Sequence, residues 1–346
     1  MTPSLPPLLR PGDTVAVLSP SSAGPYRFPR VYELGLRNLR EGLGVKVREL
    51  STARMSPQEL DEDPRRRAED LNAAFTDPEV RAIVASLGGD DSVRILPYLD
   101  LSTIRANPKI LMGFSDTTTL TTWLAQQGLV TFNGPSVLAG FAQMGRLPAE
   151  FGAHVRAMLT EPRSETLYTP YPLRCDGYGD WNRSDYDGET QPLVANSGPR
   201  WLQGAGVHRG RLFGGCIEVL EFLKATPFWP GLDFWNGRIL FFETSEDVPS
   251  VSQVKWMLRN YGSMGALDRI SGLLFGRARG YTDAAKEELE AMIVKVVARE
   301  FGRTDLPIVA NADFGHTDPQ WVLPLNVTAE LDCEARTFRL VEPCVA

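Results

Sequence analysis

The chain has 346 residues, enough for about two domains at roughly 150 residues each and for a large buried core. Its 43% hydrophobic and 23% charged residues are those of an ordinary globular protein and exclude a disordered or collagen-like chain. Against 43 acidic residues stand 36 basic ones, a net charge of −7, so the clustered positive charge that a nucleic-acid backbone demands is not expected.

In chain order, the first segments alternate between two periods. Residues 1–7 lack a basic stretch leading into an apolar one, so no signal peptide is expected. No apolar run approaches the roughly 18 residues of a membrane helix, and the cytosol is the expected compartment. Residues 14–18 form a β-branched run that ends at the breaker Ser19-Pro-Ser-Ser22, and a helix is predicted from about 30 to 42. A strand over 45–50, an amphipathic helix over 64–76, a strand over 80–87 ending at Gly88-Gly89, a strand over 109–114 and a helix over 117–127 follow. Strands alternating with such helices predict a parallel sheet covered on both faces.

Residues 165–203 lose all periodicity while remaining rich in Tyr, Trp, Asp and Gly, which is the signature of a functional loop or linker. The spacing then predicts a strand, a glycine turn and a helix over 210–223, a strand over 238–243 and a helix over 250–261. Beyond these come a strand over 270–276, a long helix over 283–301, a strand over 307–312 and a β-hairpin within 324–341. The expected division is an amino-terminal α/β domain (1–165), a linker with an aromatic loop (166–205) and a carboxyl-terminal domain (206–346).

Ligands of open α/β sheets bind beyond the carboxyl ends of the strands. The reactive side chains just past predicted strands are Ser115 in Gly113-Phe-Ser-Asp-Thr117, Glu243, and His316 in Asn311-Ala-Asp-Phe-Gly-His-Thr-Asp-Pro319, with Gly88-Gly-Asp-Asp91 nearby. A serine hydroxyl becomes a nucleophile when an imidazole takes its proton, and a carboxylate fixes that imidazole's tautomer. The Asp116 N–H and one from the pair Gly88-Gly89 are positioned to receive an oxyanion. Blander roles stay open. Ser115 also suits a helix N-cap, and the segment lacks the final glycine of the G-x-S-x-G elbow. His154 and His208 read as structural, leaving His316 as the histidine that fits catalysis.

Four cysteines, Cys175, Cys216, Cys333 and Cys344, are widely spaced and fit neither a zinc site nor a disulfide scaffold. Gly204-Ala-Gly-Val-His-Arg-Gly210 has the wrong spacing for a dinucleotide loop. Tyr178, Trp181, Tyr186 and Trp201 serve equally to pin the irregular segment to the body or to stack on a nucleobase.

The order and spacing of several segments resemble one family over nearly the whole chain: the muramoyl-tetrapeptide L,D-carboxypeptidases and the related microcin C self-immunity serine peptidases. These segments are Leu9-Arg-Pro-Gly-Asp-Thr-Val-Ala-Val-Leu-Ser-Pro-Ser-Ser22, Asp77-Pro-Glu-Val-Arg-Ala-Ile83, Gly88-Gly89, Gly113-Phe-Ser-Asp-Thr117, Gly214-Gly215, Phe242-Glu-Thr-Ser-Glu-Asp247 and Gly315-His316. The resemblance implies a flavodoxin-like parallel-sheet domain joined to a smaller swivelling β-rich one, a homodimer, and no metal or organic cofactor. It implies a triad of Ser115 as nucleophile, His316 as base and Glu243 as orienting carboxylate, with oxyanion N–H groups from Gly89 and Asp116. Gly88-Gly-Asp-Asp-Ser-Val-Arg-Ile-Leu-Pro-Tyr-Leu99 and the long aromatic segment point to the microcin-immunity branch, whose loop covers a nucleotide ligand and would give Tyr178 and Trp181 substrate contacts. Cys216 stands where the family often carries asparagine, a position of ligand contact.

The function expected on these grounds is a serine peptidase that cleaves an amide-type bond in an aminoacyl-nucleotide conjugate. The alternatives are release of terminal D-alanine from a murein tetrapeptide, and a non-catalytic module that binds a small molecule. A small-molecule substrate, with neither nucleic acid nor membrane as partner, is expected in each case.

Overall fold

The computed structural model describes residues 2–346. Its strands are β1 (Thr14–Leu18), β2 (Lys46–Glu49), β3 (Val80–Ala85), β4 (Ile110–Gly113), β5 (Thr131–Asn133), β6 (Thr166–Leu167), β7 (Leu173–Arg174) and β8 (Val194–Ala195). They continue with β9 (Arg200–Gln203), β10 (Val207–Cys216), β11 (Ile239–Glu243), β12 (Gly272–Gly276), β13 (Ile308–Ala312), β14 (Leu323–Leu325), β15 (Thr328–Asp332) and β16 (Thr337–Leu340).

β1 to β5 form a parallel sheet in the order β5-β4-β3-β1-β2, as the alternating pattern predicts. Parallel strands need crossovers, and helices such as Pro29–Leu43 and Pro64–Thr76 supply them. Local sequence sets their limits. Pro29 opens its helix at the first turn and Gly44, left-handed at φ 70°, closes it; Asp63 caps the next through the Arg66 N–H. Strands β1, β3 and β4 are almost wholly buried, so both faces are apolar rather than alternating.

A second sheet has eight strands in the order β6-β16-β15-β10-β11-β12-β13-β9. Its centre, β10 to β13, is parallel, and antiparallel strands flank it on both sides. The chain is thus a mixed α/β protein with a parallel amino-terminal sheet and a separate β-rich carboxyl-terminal region. No helix among the described residues is long and apolar enough to cross a membrane.

Four details differ from the sequence reading. Gly214 and Gly215 do not turn the chain but continue β10, at φ 153° and 151°. A side chain on Gly214 would strike the Phe241 carbonyl of β11, and one on Gly215 would strike Thr118, so glycine here serves close approach. The long helix is α-helical over Asp283–Val294 and continues as a π-helical turn over Lys295–Glu300. The aperiodic segment contributes β6 and β9 to the two edges of the second sheet and a small hairpin, β7 with β8. Finally, β14 leaves the carboxyl-terminal region and pairs antiparallel with β5, completing the first sheet as its sixth strand.

Candidate active site

A cleft of about 710 Å³ opens between the two sheets, lined on one side by Ser115, Gly88 and Gly89 and on the other by His316, Glu246 and Asp318. Ser115 leaves β4 in the single turn Ser115–Thr117 that precedes the helix Thr118–Gln126. Its φ of 58° is left-handed, a conformation that costs a non-glycine residue roughly 1–2 kcal/mol. Its side chain caps nothing, so the N-cap role falls away and the strained turn presents the hydroxyl to the cleft.

The turn is clamped from the 88–92 loop. The buried Asp116 carboxylate accepts from the N–H groups of Ser92 at 2.7 Å and Asp91 at 3.1 Å, and the Ser92 hydroxyl donates to the Asp116 carbonyl at 2.7 Å. Burial raises the Asp116 pKa against those hydrogen bonds. Gly88 lies so close that a Cβ there would sit 2.6 Å from the Ser115 Cβ and 3.1 Å from the Asp116 nitrogen. The N–H groups of Asp116 and Gly89 enter none of the backbone hydrogen bonds of the surrounding turns.

On the facing side, Glu243 ends β11 with no exposed surface, and its Oε2 lies 2.6 Å from the His316 Nδ1. The close approach needs Gly315, at φ 102°, because a Cβ there would fall 2.7 Å from that of Glu243. His316, 6% exposed, also packs edge-on against Phe114, the residue before Ser115, with ring centroids 5.0 Å apart. Its other nitrogen, Nε2, has the Glu246 Oε2 at 3.0 Å, off the line of a good hydrogen bond.

These two carboxylates set the imidazole's charge. Burial alone favours the neutral ring, but Glu243 and Glu246 outweigh it and raise the pKa from 6.5 to about 10. The His316 contact in turn holds Glu246 down to about 2 against its own desolvation. Because the folded value lies above the unfolded one, the imidazolium stabilises the fold fully below about pH 6.5, and that contribution is lost as pH rises through about 10.

The His316 loop rests on a buried cation. Arg277, just past β12, donates to the Thr317 hydroxyl at 2.7 Å and to the Pro319 carbonyl, and pairs with the buried Asp313 at 3.1 Å. Asp313 also accepts from the Tyr171 N–H at 2.7 Å and from Asn196 at 3.0 Å, tying the loop to the irregular segment. Glu218 fixes the Glu246 loop by accepting from the Ser245 N–H and hydroxyl at 2.9 and 2.8 Å.

Other expected contacts are not brought together. Trp181 is buried outside the cleft, stacked on Tyr178 at 3.9 Å and edge-on to Phe28, so its faces are already covered. Tyr178 does line the cleft, but between Trp181 and the Arg279 guanidinium. Cys216 lies directly opposite Glu243 in the β10–β11 ladder, fully buried and outside the cleft, with burial pushing its thiol well up. A ligand contact from Cys216 or Trp181 is therefore not supported here, and neither is a cysteine nucleophile. His154 is structural: half-buried, lowered to about 4 by desolvation, and accepting from the Val322 N–H. His208 sits on β10 with its Nε2 at the Ala205 carbonyl, away from the cleft.

A strained serine facing an imidazole–carboxylate pair across a cleft defines a serine-peptidase type of hydrolase. The chain belongs to the LD-carboxypeptidase family: residues 15–134 match its amino-terminal domain and 209–331 its carboxyl-terminal domain. A relative from Vibrio cholerae named a putative carboxypeptidase is 29% identical, covering 95% of both chains. A murein tetrapeptide carboxypeptidase from Pseudomonas aeruginosa is 32% identical over 77% of each. Among solved structures, an MccF-like protein from Streptococcus pneumoniae in complex with AMP superposes with a TM-score of 0.82 at 28% identity, covering 95% of this chain and 98% of that one. The microcin C7 self-immunity protein MccF in complex with aspartyl sulfamoyl adenosine gives 0.84 at 25%, covering 99% and 100%.

Proposed function

We propose that this chain hydrolyses an amide-type bond in aminoacyl-nucleotide conjugates, with Ser115 as nucleophile, His316 as base and Glu243 as the carboxylate that orients it. The carrying observation is the His316 imidazole, bonded to Glu243 and packed on the residue next to Ser115, in one cleft. The nucleotide-bound relatives of like fold support the substrate class.

Nε2 cannot accept a proton while the ring is an imidazolium facing Glu246. Substrate entry therefore displaces the Glu246 side chain, which is 47% exposed, and with that charge withdrawn the ring releases its Nε2 proton to water. The neutral ring then takes the Ser115 proton as Oγ attacks the acyl carbon, and the Asp116 and Gly89 N–H groups receive the oxyanion. The C–N bond breaks as His316 returns the proton to the departing nitrogen. Water, deprotonated by His316, cleaves the acyl ester and regenerates Ser115.

The test is turnover of aminoacyl sulfamoyl adenosine beside labelling by a serine-directed phosphonate. Ser115→Ala should abolish labelling and lower kcat by about 10⁴-fold or more. Turnover that survives this change would falsify the assignment, and binding without turnover by the wild-type protein would leave a binding module. The P. aeruginosa relative favours a second reading, release of D-alanine from murein tetrapeptide. Turnover of that peptide alone decides for it.

A further inference from the structure

A second cavity, of about 230 Å³, lies away from the cleft and shares no lining residue with it. Its walls come from the two ends of the second sheet: Trp201 on β9 at one edge, and Phe338 on β16 with Tyr168 just past β6 at the other. Leu274 and Val309, partners across β12 and β13, line the part between. The sheet therefore curls until its edges face each other, and the cavity occupies the mouth of an almost closed barrel, a recurrent place for small-molecule sites.

The chemistry of its walls is one-sided. The Tyr168 hydroxyl already donates to the Val322 carbonyl at 2.8 Å, and the Trp321 indole N–H to the Thr169 carbonyl at 3.1 Å, so these rings offer only apolar faces. They form one cluster with Phe338, which lies parallel to Tyr168 with centroids 4.5 Å apart. Trp201, an aromatic for which the cleft has no use, is half-buried on the other wall.

The polar groups that remain are donors. Ser197 Oγ accepts from the Asn311 side chain at 3.2 Å, which leaves its own proton to give. Arg336 is the one charged lining residue, and its guanidinium has no hydrogen bond or ion pair among the described residues. It also holds, at φ 52°, the left-handed position that closes the β15–β16 turn, where glycine or asparagine is the usual residue. Asp332 secures that turn by accepting from the Glu334 and Ala335 N–H groups at 3.1 and 2.9 Å, so the turn itself does not call for an arginine.

An apolar cavity of about 150 Å³ already holds benzene. One of about 230 Å³ takes a single ring with a short arm, and the two donors specify an anion at the end of that arm. We propose that this cavity binds a small aromatic carboxylate, with its ring between Trp201 and the Tyr168–Phe338–Trp321 cluster and its carboxylate on Arg336 and Ser197. The site is separate from the catalytic cleft and does not depend on the hydrolase reading.

The test is calorimetric titration of the full-length protein with phenylpropanoate and with its neutral amide, phenylpropanamide. The acid should bind at a single site and about tenfold or more tighter than the amide, the range of a hydrogen bond to a charged group. Arg336→Gly suits the left-handed backbone and should bring the acid down to the amide's affinity. Trp201→Ala should weaken both ligands by about fivefold while leaving their ratio unchanged, and it decides if the Arg336 variant does not fold. An acid that does not bind, an amide that binds as well, or an affinity that neither substitution moves overturns the site.

Discussion

Ser115 and His316 both leave the carboxyl end of a parallel strand, yet the two supports differ. The turn under Ser115 is held by a left-handed backbone, a glycine in contact and hydrogen bonds from the Asp91 and Ser92 N–H groups. The loop under His316 is held by buried charge, with Glu243 on the ring and the Arg277–Asp313 pair beneath it. Backbone geometry places an atom at fixed cost, whereas buried charge places it only while every partner remains. The base side is therefore the more fragile one, and it is also the side whose protonation governs the reaction.

The comparison can be broken most severely at Glu243. Glu243→Gln keeps the volume but removes the charge and permits the wrong imidazole tautomer, so kcat should fall by about 10³- to 10⁴-fold while the protein still folds. A loss of less than about tenfold would mean that Glu243 does not orient the base. Next in size is a matched pair of stability measurements. Arg277→Met leaves the buried Asp313 without its cation and should lower the denaturant-unfolding free energy by about 3–5 kcal/mol. Asp116→Asn retains an acceptor for both N–H groups and should cost no more than about 1.5 kcal/mol. Equal losses would erase the distinction between the two supports. The smallest effect is a shift along the pH axis. Glu246→Gln removes one of the two carboxylates that raise the His316 pKa, so the ring deprotonates sooner on the way up. The rising acidic limb of kcat/KM should move to lower pH, and a move to higher pH would refute the restraint by Glu246.

Much of this centre is legible in the sequence because strand ends are. The rule that ligands gather past parallel strands finds Ser115, Glu243 and His316, and the parallel sheet follows from the alternation before residue 130. The same rule applied to the end of β12 yields Arg277 and Arg279, a strand end that the sequence reading passes over. Glu246 stands inside a segment that carries the resemblance, but its partner His316 lies 70 positions away, and spacing does not reveal such a contact. Gly214-Gly215 reads as a turn because glycine usually breaks a strand; only the neighbouring Phe241 carbonyl and Thr118 explain an extended pair. The aromatic loop misleads for a similar reason: Trp181 and Tyr178 stack on each other before either meets a ligand.

One strand joins the two sheets through the imidazole's own loop. After β13 the chain passes His316 and, within a few residues, enters the first sheet as β14 against β5. The base is thus strung on a tether anchored at both ends, one in each layer. Cutting the polypeptide near residue 205 would not yield two autonomous halves, because the amino-terminal fragment would lack its edge strand and expose β5. A hinge motion of one layer against the other must also carry the histidine with it, so large swings of the layers are incompatible with keeping the reacting groups aligned.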